Sequence, residues 1–236
     1  MRLIRSVLFL LAQIVYTLGY ALLSPFIFPF NQHIRHRLLS GYAPGTLWLL
    51  RIICNIKMEV RGQENIPAQP CVVLSKHQSA WETLSLQTVL PAHCWVAKRE
   101  LLWIPFFGWL LALSSPISLD RSKGKESVRQ LLQKGKAKLR QGFCVVLFPE
   151  GTRIPYGQRG KYKIGGALLA AHCAVPVLPV AHNAGKFWGR NAFIKHPGTI
   201  IMVIGKPIAT AGLKAEEINN LVENWIEGEM VKLEQQ

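Results

Sequence analysis

The first thirty residues constrain this chain most, because they contain an uncharged segment long enough to cross a lipid bilayer. From Ser6 to Phe30 the sequence has no charged residue, and about 20 consecutive apolar residues suffice for a transmembrane helix. Arg2 and Arg5 precede the segment, as in a secretory signal peptide. The apolar run is too long for such a peptide, and no small-x-small cleavage site closes it. The sequence therefore predicts a retained, helical membrane anchor.

Two arrangements of this anchor in the membrane remain open. Positive residues flank the apolar segment on both sides: Arg2, Arg5, Arg35, Arg37, Arg51 and Lys57. A single crossing would leave one of these flanks on the wrong side of the membrane by the positive-inside rule. An anchor that lies in the interface avoids this conflict, if it breaks near Pro25 and Pro29 and a second apolar helix over 46–56 completes a hairpin. The charges favour this in-plane anchor over a single span.

After Lys57 short apolar runs alternate with segments of helical periodicity. The pattern predicts strands over 71–75, 94–98, 116–120, 143–149, 175–180 and 199–205, and helices over 79–90, 124–140, 165–173 and from 215 onward. Gly142 is expected to stop the helix 124–140. The apolar face of the last helix is predicted to consist of Ile218, Leu221, Val222, Trp225 and Ile226. Such alternation predicts an α/β fold, a layered domain with a central, largely parallel β-sheet flanked by helices. We therefore divide the chain into an N-terminal anchoring segment, residues 1–57, and one folded domain, residues 58–236.

The charge balance indicates an anionic partner. Lysine and arginine total 28 against 13 acidic residues, a formal charge of +15, and half of the residues are apolar. Nucleic acid, a membrane surface and a phosphorylated substrate all fit such an excess. The apolar anchor favours an anionic membrane surface, and the absence of interleaved basic and aromatic runs argues against nucleic acid. The five cysteines show no metal-binding spacing, so we expect free, buried thiols and neither metal nor cofactor.

Two polar stretches follow predicted strands, where open α/β sheets gather their ligands. His77 comes directly after the strand 71–75, and a carboxylate such as Glu82 can orient a histidine for general-base catalysis. Glu82 also fits another role, because Ser79 and Glu82 form the S-x-x-E pattern of a helix capping box. On these residues alone, capping and catalysis remain equally open for Glu82.

The second stretch, residues 150–153, follows the strand 143–149 with the sequence Glu-Gly-Thr-Arg. The guanidinium of Arg153 and nearby backbone N–H groups suit bidentate binding of a phosphate. The alternative is an ordinary turn with a surface salt bridge. The basic run 159–163 fits either contact with anionic headgroups or donor phosphates, or a solvated loop.

The remaining histidines and aromatic residues give weaker signals. The apolar segment 101–113 fits either a buried helix pair or a surface that touches lipid or an acyl chain. For four of its aromatic residues we expect hydrophobic core rather than an acyl tunnel: Trp103, Phe106, Phe107 and Trp109. Four histidines have no acid at a suggestive spacing and are interpreted as structural: His93, His172, His182 and His196.

Four blocks in order resemble the lysophosphatidic acid (1-acylglycerol-3-phosphate) acyltransferases over about residues 58–210. They are 77-HQSAWE-82, the run 98-KRELLWIPFFG-108 leading to 117-ISLDR-121, 148-FPEGTR-153, and 175-VPVLPVAHN-183. The resemblance implies the glycerolipid acyltransferase fold. It also implies acyl transfer from acyl-CoA or acyl-carrier protein to the free hydroxyl of a lysophospholipid. One position departs from the family, which most often has aspartate where this chain has Glu82.

The resemblance also implies roles for individual residues. His77 would take the proton of the acceptor hydroxyl, and Glu82 would orient His77. Arg153 would hold the acceptor phosphate, helped by Arg121 and Lys98. Glu150, Gly151 and Thr152 would complete the substrate-binding loop, with backbone N–H groups of Glu150 and Gly151 as candidate oxyanion donors.

The expected setting is the inner (cytoplasmic) membrane of a cell, with the catalytic domain facing the cytoplasm. Two other functions remain open. The acceptor can be a different lysolipid, since the motifs would be the same. Alternatively, the chain is a nonenzymatic, membrane-tethered binder of anionic lipid or nucleic acid, which its net charge would suit. A serine hydrolase is disfavoured, because the sequence contains no G-x-S-x-G elbow.

Overall fold

A central sheet of seven strands organises the computed structural model, which describes residues 1–120 and 123–235. The strands are β1 (Ile56–Arg61), β2 (Val72–Ser75), β3 (His93–Lys98), β4 (Ile117–Leu119), β5 (Cys144–Leu147), β6 (Val177–His182) and β7 (Gly198–Ile204). They lie in the order β1-β7-β6-β2-β5-β3-β4. Neighbouring strands are parallel except β6 and β7, which are antiparallel. The predicted layered, largely parallel α/β fold is therefore confirmed.

Helices precede the sheet and connect its strands. They are α1 (Arg2–Ile27), α2 (Gln32–Ser40), α3 (Tyr42–Cys54), α4 (Trp81–Val89), α5 (Phe107–Leu113), α6 (Lys125–Arg140), α7 (Gly165–Cys173), α8 (Ala184–Phe187) and α9 (Ala215–Glu234), with short 3-10 helices at Gln63–Asn65 and Arg99–Trp103. Gly142 follows α6 with φ +86°, the left-handed conformation that glycine supplies after a helix. This stop was predicted from the sequence.

Helices cover both faces of the sheet and form two hydrophobic cores. Val72 and Leu74 of β2 face the core formed with α6, α7 and α9. Val73 faces the opposite core, which α3 and α4 complete together with Phe9 of α1. Leu221, predicted on the buried face of α9, is instead exposed, because the helix turns it away from Ile218 and Val222.

The N-terminal helices pack against the sheet domain as well as against one another. Helix α1 ends at Ile27, between the two prolines where a break was predicted. The Tyr16 ring stacks on Tyr42 of α3 with centroids 5.3 Å apart, and the hydroxyl oxygens of Thr17 and Tyr42 lie 2.8 Å apart. The first 57 residues thus share a core with the rest, and the boundary at residue 57 stays a prediction.

Helix α1 also presents a long apolar surface. Within residues 1–120 and 123–235 it is the one helix long and apolar enough to cross a membrane, judged by length and composition alone. Only 17% of its most apolar window is buried, and the mean hydropathy of that window is 1.9.

The segment from Arg99 to Leu113 corrects one prediction. Trp103 is 72% exposed and Trp109 53% exposed, and Phe106 and Phe107 are also exposed, so the expected burial of these aromatic residues in the core is wrong. A Cβ at Gly108 would lie 2.3 Å from the carbonyl oxygen of Leu102, so the backbones of two very short helices touch. The four aromatic side chains are exposed on this segment, whereas Leu113 is buried.

The cysteines agree with the expectation of free thiols. Cys54, Cys71, Cys94 and Cys144 are buried, Cys173 is partly buried, and all five are free.

Candidate active site

The loop after β2 carries His77 at the carboxyl end of the central strand. The Nδ1 atom of His77 lies 2.7 Å from Oε1 of Glu82, the second residue of α4. Phe148, which follows β5, stacks on the imidazole with centroids 3.9 Å apart. Since Nδ1–H donates to Glu82, Nε2 is the nitrogen left to accept a proton. The ring is held from its face and from one edge, which is the geometry of an oriented general base.

Glu82 caps the helix and binds His77 at the same time. Its carboxylate accepts the backbone N–H of Ser79 at 2.9 and 3.0 Å and that of Gln78 at 3.0 Å. The hydroxyl of Ser79 in turn accepts the N–H of Trp81. The alternatives that the sequence left open are therefore compatible, because one carboxylate has enough lone pairs for the imidazole and for the cap.

The surroundings of Glu82 favour its ionised form. Complete burial raises the pKa of a carboxyl group, but here His182, His77 and the backbone N–H of Ser79 outweigh it and hold the pKa of Glu82 below its ordinary value. His182 of β6 lies with Nε2 3.8 Å from Oε2 of Glu82. Burial lowers the pKa of His182, and the nearby carboxylate of Glu82 opposes this shift. The Nε2–H of His182 donates to the carbonyl oxygen of Lys76 at 2.9 Å.

Glu150 holds the backbone of the same loop from the other side. Its Oε2 accepts the N–H of His77 at 2.8 Å, and its Oε1 lies 2.8 Å from Nζ of Lys76. The Glu150 side chain is fully buried. Burial raises its pKa, and the charge of Lys76 offsets part of that rise. Glu150, predicted to bind substrate, therefore lies behind His77 and does not line the cavity described below.

The turn after β5 is hydrogen-bonded to the His77 loop through its own backbone. Ile154 donates its N–H to the carbonyl oxygen of His77 at 2.8 Å. Gly151 adopts φ +71°, which favours glycine, and its N–H donates to the carbonyl oxygen of Phe148 at 2.9 Å. The N–H of Gly151 was a candidate oxyanion donor, but this turn engages it.

A cavity of about 630 Å³ opens beside His77, within the usual size of a small-molecule site. Several predicted residues line it: His77, Lys98, Gly151, Thr152 and Arg153. The Nε atom of Arg153 is buried, with no hydrogen-bond partner among the described residues. Arg121, predicted to assist Arg153, lies outside the described residues.

The sequence did not indicate all of this lining. Arg190 and Asn191 also border the cavity, although no motif marks them. Helices α1 and α3 contribute Thr17, Tyr20 and Tyr42, so the N-terminal segment forms part of the site. Apolar side chains also line it: Leu84, Val96, Leu101, Ile104, Phe107, Leu110 and Leu111.

This arrangement can deprotonate a bound hydroxyl next to a cationic anchor. A base, a guanidinium and a lysine in one cavity suit a phosphate-bearing alcohol, and the apolar part of the lining suits a hydrocarbon chain. Arg159, from the basic run 159–163, pairs with Glu223 on the surface at 2.7 Å.

Comparison with known proteins agrees with this chemistry. Residues 57–183 match the family model described as Acyltransferase. The chain is 44% identical over 236 residues to a 1-acyl-sn-glycerol-3-phosphate acyltransferase of Pseudomonas aeruginosa, covering 98% of this chain and 91% of that protein. A 1-acyl-sn-glycerol-3-phosphate acyltransferase alpha of Ovis aries is 32% identical over 177 residues, covering 74% of this chain and 62% of that protein.

The fold has a solved counterpart. A crystal structure of the 1-acyl-sn-glycerophosphate acyltransferase from Thermotoga maritima superposes with a TM-score of 0.82, covering 100% of this chain and 99% of that one. The sequence identity of 24% makes this a likeness of fold alone. The family resemblance stated from four sequence blocks is confirmed by the relatives above.

Proposed function

Because the chain belongs to the 1-acyl-sn-glycerol-3-phosphate acyltransferase family, we propose that it transfers a fatty acyl group from an acyl thioester to the free hydroxyl of 1-acylglycerol-3-phosphate, making phosphatidic acid. The observation that carries the proposal is the oriented His77–Glu82 pair beside Arg153 in one cavity.

The chemistry needs one base that later acts as an acid. Nε2 of His77 takes the proton of the acceptor hydroxyl as its oxygen attacks the thioester carbonyl carbon. The carbon–sulfur bond then breaks, and the leaving thiolate recovers the proton from the imidazolium. Glu82 is ionised and accepts from Nδ1–H, so it stabilises the imidazolium between these steps. No acyl-enzyme is required.

The cationic lining of the cavity suits the phosphate of the acceptor. Arg153 lines the cavity with a buried Nε that no described residue accepts from, and a buried donor without a partner is costly unless a ligand satisfies it. Lys98 and Arg190 add positive charge to the same lining. Thr152 offers a hydroxyl beside Arg153.

The membrane is the source of both lipids in this proposal. Helix α1 has its N-terminal end joined to the domain, since Ser6 Oγ accepts the N–H of Lys195 at 2.9 Å, and Tyr16 and Thr17 contact α3. A helix packed along the domain in this way cannot cross the bilayer while the domain stays in water. We therefore propose an in-plane anchor, with the exposed apolar face of α1 in lipid at the cytoplasmic face of the inner membrane.

Removal of the base tests the mechanism. In purified membranes, we expect His77→Ala to lower kcat for acylation of lysophosphatidic acid by about 10²–10⁴-fold, the usual contribution of a general base. The matched control is His172→Ala, since His172 is an exposed histidine of α7, and its activity should equal wild type. Full activity of His77→Ala would refute the mechanism.

An acceptor panel tests the substrate. With the same acyl-CoA donor, lysophosphatidic acid should be acylated faster than lysophosphatidylcholine or monoacylglycerol, because only its phosphate is a small, unmasked dianion for Arg153. Equal rates with monoacylglycerol would exclude the phosphate site. Preference for another lysolipid would instead support the second acceptor hypothesis, and no turnover with any acceptor would support a nonenzymatic lipid binder.

A further inference from the structure

Directly before His77, the chain buries a lysine beneath the site. The Lys76 side chain is 1% exposed, although Lys76 lies between the end of β2 and His77. Its Nζ lies 2.8 Å from Oε1 of Glu150 and 2.8 Å from Oε1 of Glu227. Glu227 belongs to α9, far along the chain, and also accepts the hydroxyl of Tyr162 at 2.7 Å.

These contacts form a continuous chain of polar bonds from α9 to the base. Glu227 binds Lys76, Lys76 binds Glu150, and Glu150 accepts the backbone N–H of His77. The carbonyl oxygen of Lys76 is itself held by His182. The residue preceding the base is therefore fixed at both its side chain and its backbone.

We propose that Lys76 and Glu227 are positioning residues that set the place of His77 through Glu150. The proposal rests on the function proposed above, and it makes the C-terminal helix part of the catalytic apparatus. Neither residue lines the cavity, so neither is assigned a contact with substrate.

Stability alone does not account for this arrangement. Removing a lysine and two carboxylates from water is costly, and apolar side chains of similar volume often replace a buried ion pair without loss of stability. What apolar residues cannot do is pair with the carboxyl group of Glu150 and hold it as an acceptor for the N–H of His77. The single charge of Lys76 lies between both acids, so loss of either contact changes how Glu150 is held.

A shift of His77 should affect turnover more than substrate binding. Misplacement of a catalytic group by about 1 Å can cost on the order of 10²-fold in rate, whereas Arg153 and the apolar lining would still bind both substrates. We therefore expect Lys76→Met to lower kcat by about 100-fold and Glu227→Gln by about tenfold, with each KM within about twofold of wild type.

The chain offers a matched control one helical turn away. Glu223 lies on α9 like Glu227, but its partner Arg159 is on the surface. Glu223→Gln should keep the wild-type kcat and KM. The double variant Lys76→Met/Glu227→Gln should have a kcat no lower than that of Lys76→Met alone, because both substitutions break the same chain of contacts.

Melting temperatures of the detergent-solubilised variants identify those that fold. If Lys76→Met does not fold, Glu227→Gln is the variant that tests the proposal. Folded Glu227→Gln with wild-type kcat would overturn the proposal, as would a rise in KM at unchanged kcat. A loss of kcat in Glu223→Gln equal to that in Glu227→Gln would also overturn it. These outcomes concern the positioning role alone. If His77→Ala is inactive, the proposed function is still supported, whereas an active His77→Ala would refute the proposed function itself.

Discussion

The start of α4 and the turn after β5 each place one buried glutamate against the same loop, but they hold different parts of it. Glu82 binds the imidazole of His77 through Nδ1, together with the N–H groups of Gln78 and Ser79. Among the described residues, Glu150 binds the backbone N–H of His77 and the side chain of Lys76. One acid therefore sets the ring and its tautomer, and the other sets the backbone from which the ring projects.

Their electrostatic environments differ in the same way. The pKa of Glu82 is held below its ordinary value by two histidines and backbone donors that outweigh burial. The pKa of Glu150 is raised, because burial exceeds the help of Lys76. Both carboxyl groups are buried, yet their pKa values shift in opposite directions. More groups that favour the charged form surround Glu82, whereas the charge of Glu227 adds to the rise at Glu150.

The largest effect should come from Glu82→Gln. A glutamine can donate its amide N–H to Nδ1, which favours the tautomer with a proton on Nε2 and removes the base. We expect kcat to fall by about 10³–10⁴-fold, as when the acid of a histidine–carboxylate pair is made an amide, measured as acylation of lysophosphatidic acid.

Capping alone predicts a different outcome for this variant. If Glu82 only closed the helix, Glu82→Gln would keep its activity and nearly all of its stability, because glutamine serves in a capping box as glutamate does. Near-wild-type turnover of Glu82→Gln would therefore contradict the catalytic role of Glu82.

A smaller effect is expected from Glu82→Asp, which restores the residue most frequent in the family. The shorter side chain withdraws the carboxylate from Nδ1 while the loop stays fixed by Glu150 and His182. We expect kcat to fall by about 10–100-fold with unchanged KM. Wild-type activity of Glu82→Asp would mean that the loop adapts to either acid.

Glu150→Gln should cost less again, about tenfold in kcat, because an amide oxygen can still accept the N–H of His77. The substitution removes the negative charge that pairs with Lys76. Lys76 still has Glu227 as an ion-pair partner. The comparison with Glu82→Gln is matched, since both variants change one buried carboxylate to its amide. If Glu150→Gln lost more activity than Glu82→Gln, the division between ring and backbone would be wrong.

Sequence reasoning predicted local features of this molecule better than contacts across the fold. The strand before His77, the helix 165–173 and the glycine after α6 depend on nearby residues, and all were predicted. Lys76, Glu227 and His182 were missed, because no local pattern marks a residue whose partner lies on another element. His182 was interpreted as structural for lack of a nearby acid, yet β6 brings it to 3.8 Å from Glu82.

The aromatic segment illustrates a second limit. Apolar residues such as Trp103 and Trp109 were expected in the core, since composition does not distinguish burial in protein from contact with lipid. In the fold both side chains are more than half exposed. The role of Glu82 was left open for a related reason. A local pattern cannot show that one carboxylate binds both the backbone of the cap and the imidazole of His77.

The smallest expected effect is a difference between Glu82 and Glu150 in how each contributes to the pH dependence of stability. The pKa of Glu82 is below its ordinary 4.5 in the fold, so its contribution is present above about pH 4.5 and is lost as pH falls through the folded pKa. The pKa of Glu150 is above 4.5, so its contribution is present below about pH 4.5 and is lost as pH rises through the folded pKa.

Denaturant unfolding of the solubilised protein between about pH 4 and about pH 7 measures this difference. The stability advantage of wild type over Glu82→Gln should grow as pH rises, and its advantage over Glu150→Gln should shrink. The same trend in both variants would show that the two carboxylates share one electrostatic environment. Opposite trends would show that the fold favours the ionised form of Glu82, which catalysis needs. They would also show that Glu150 depends on Lys76 to carry its charge.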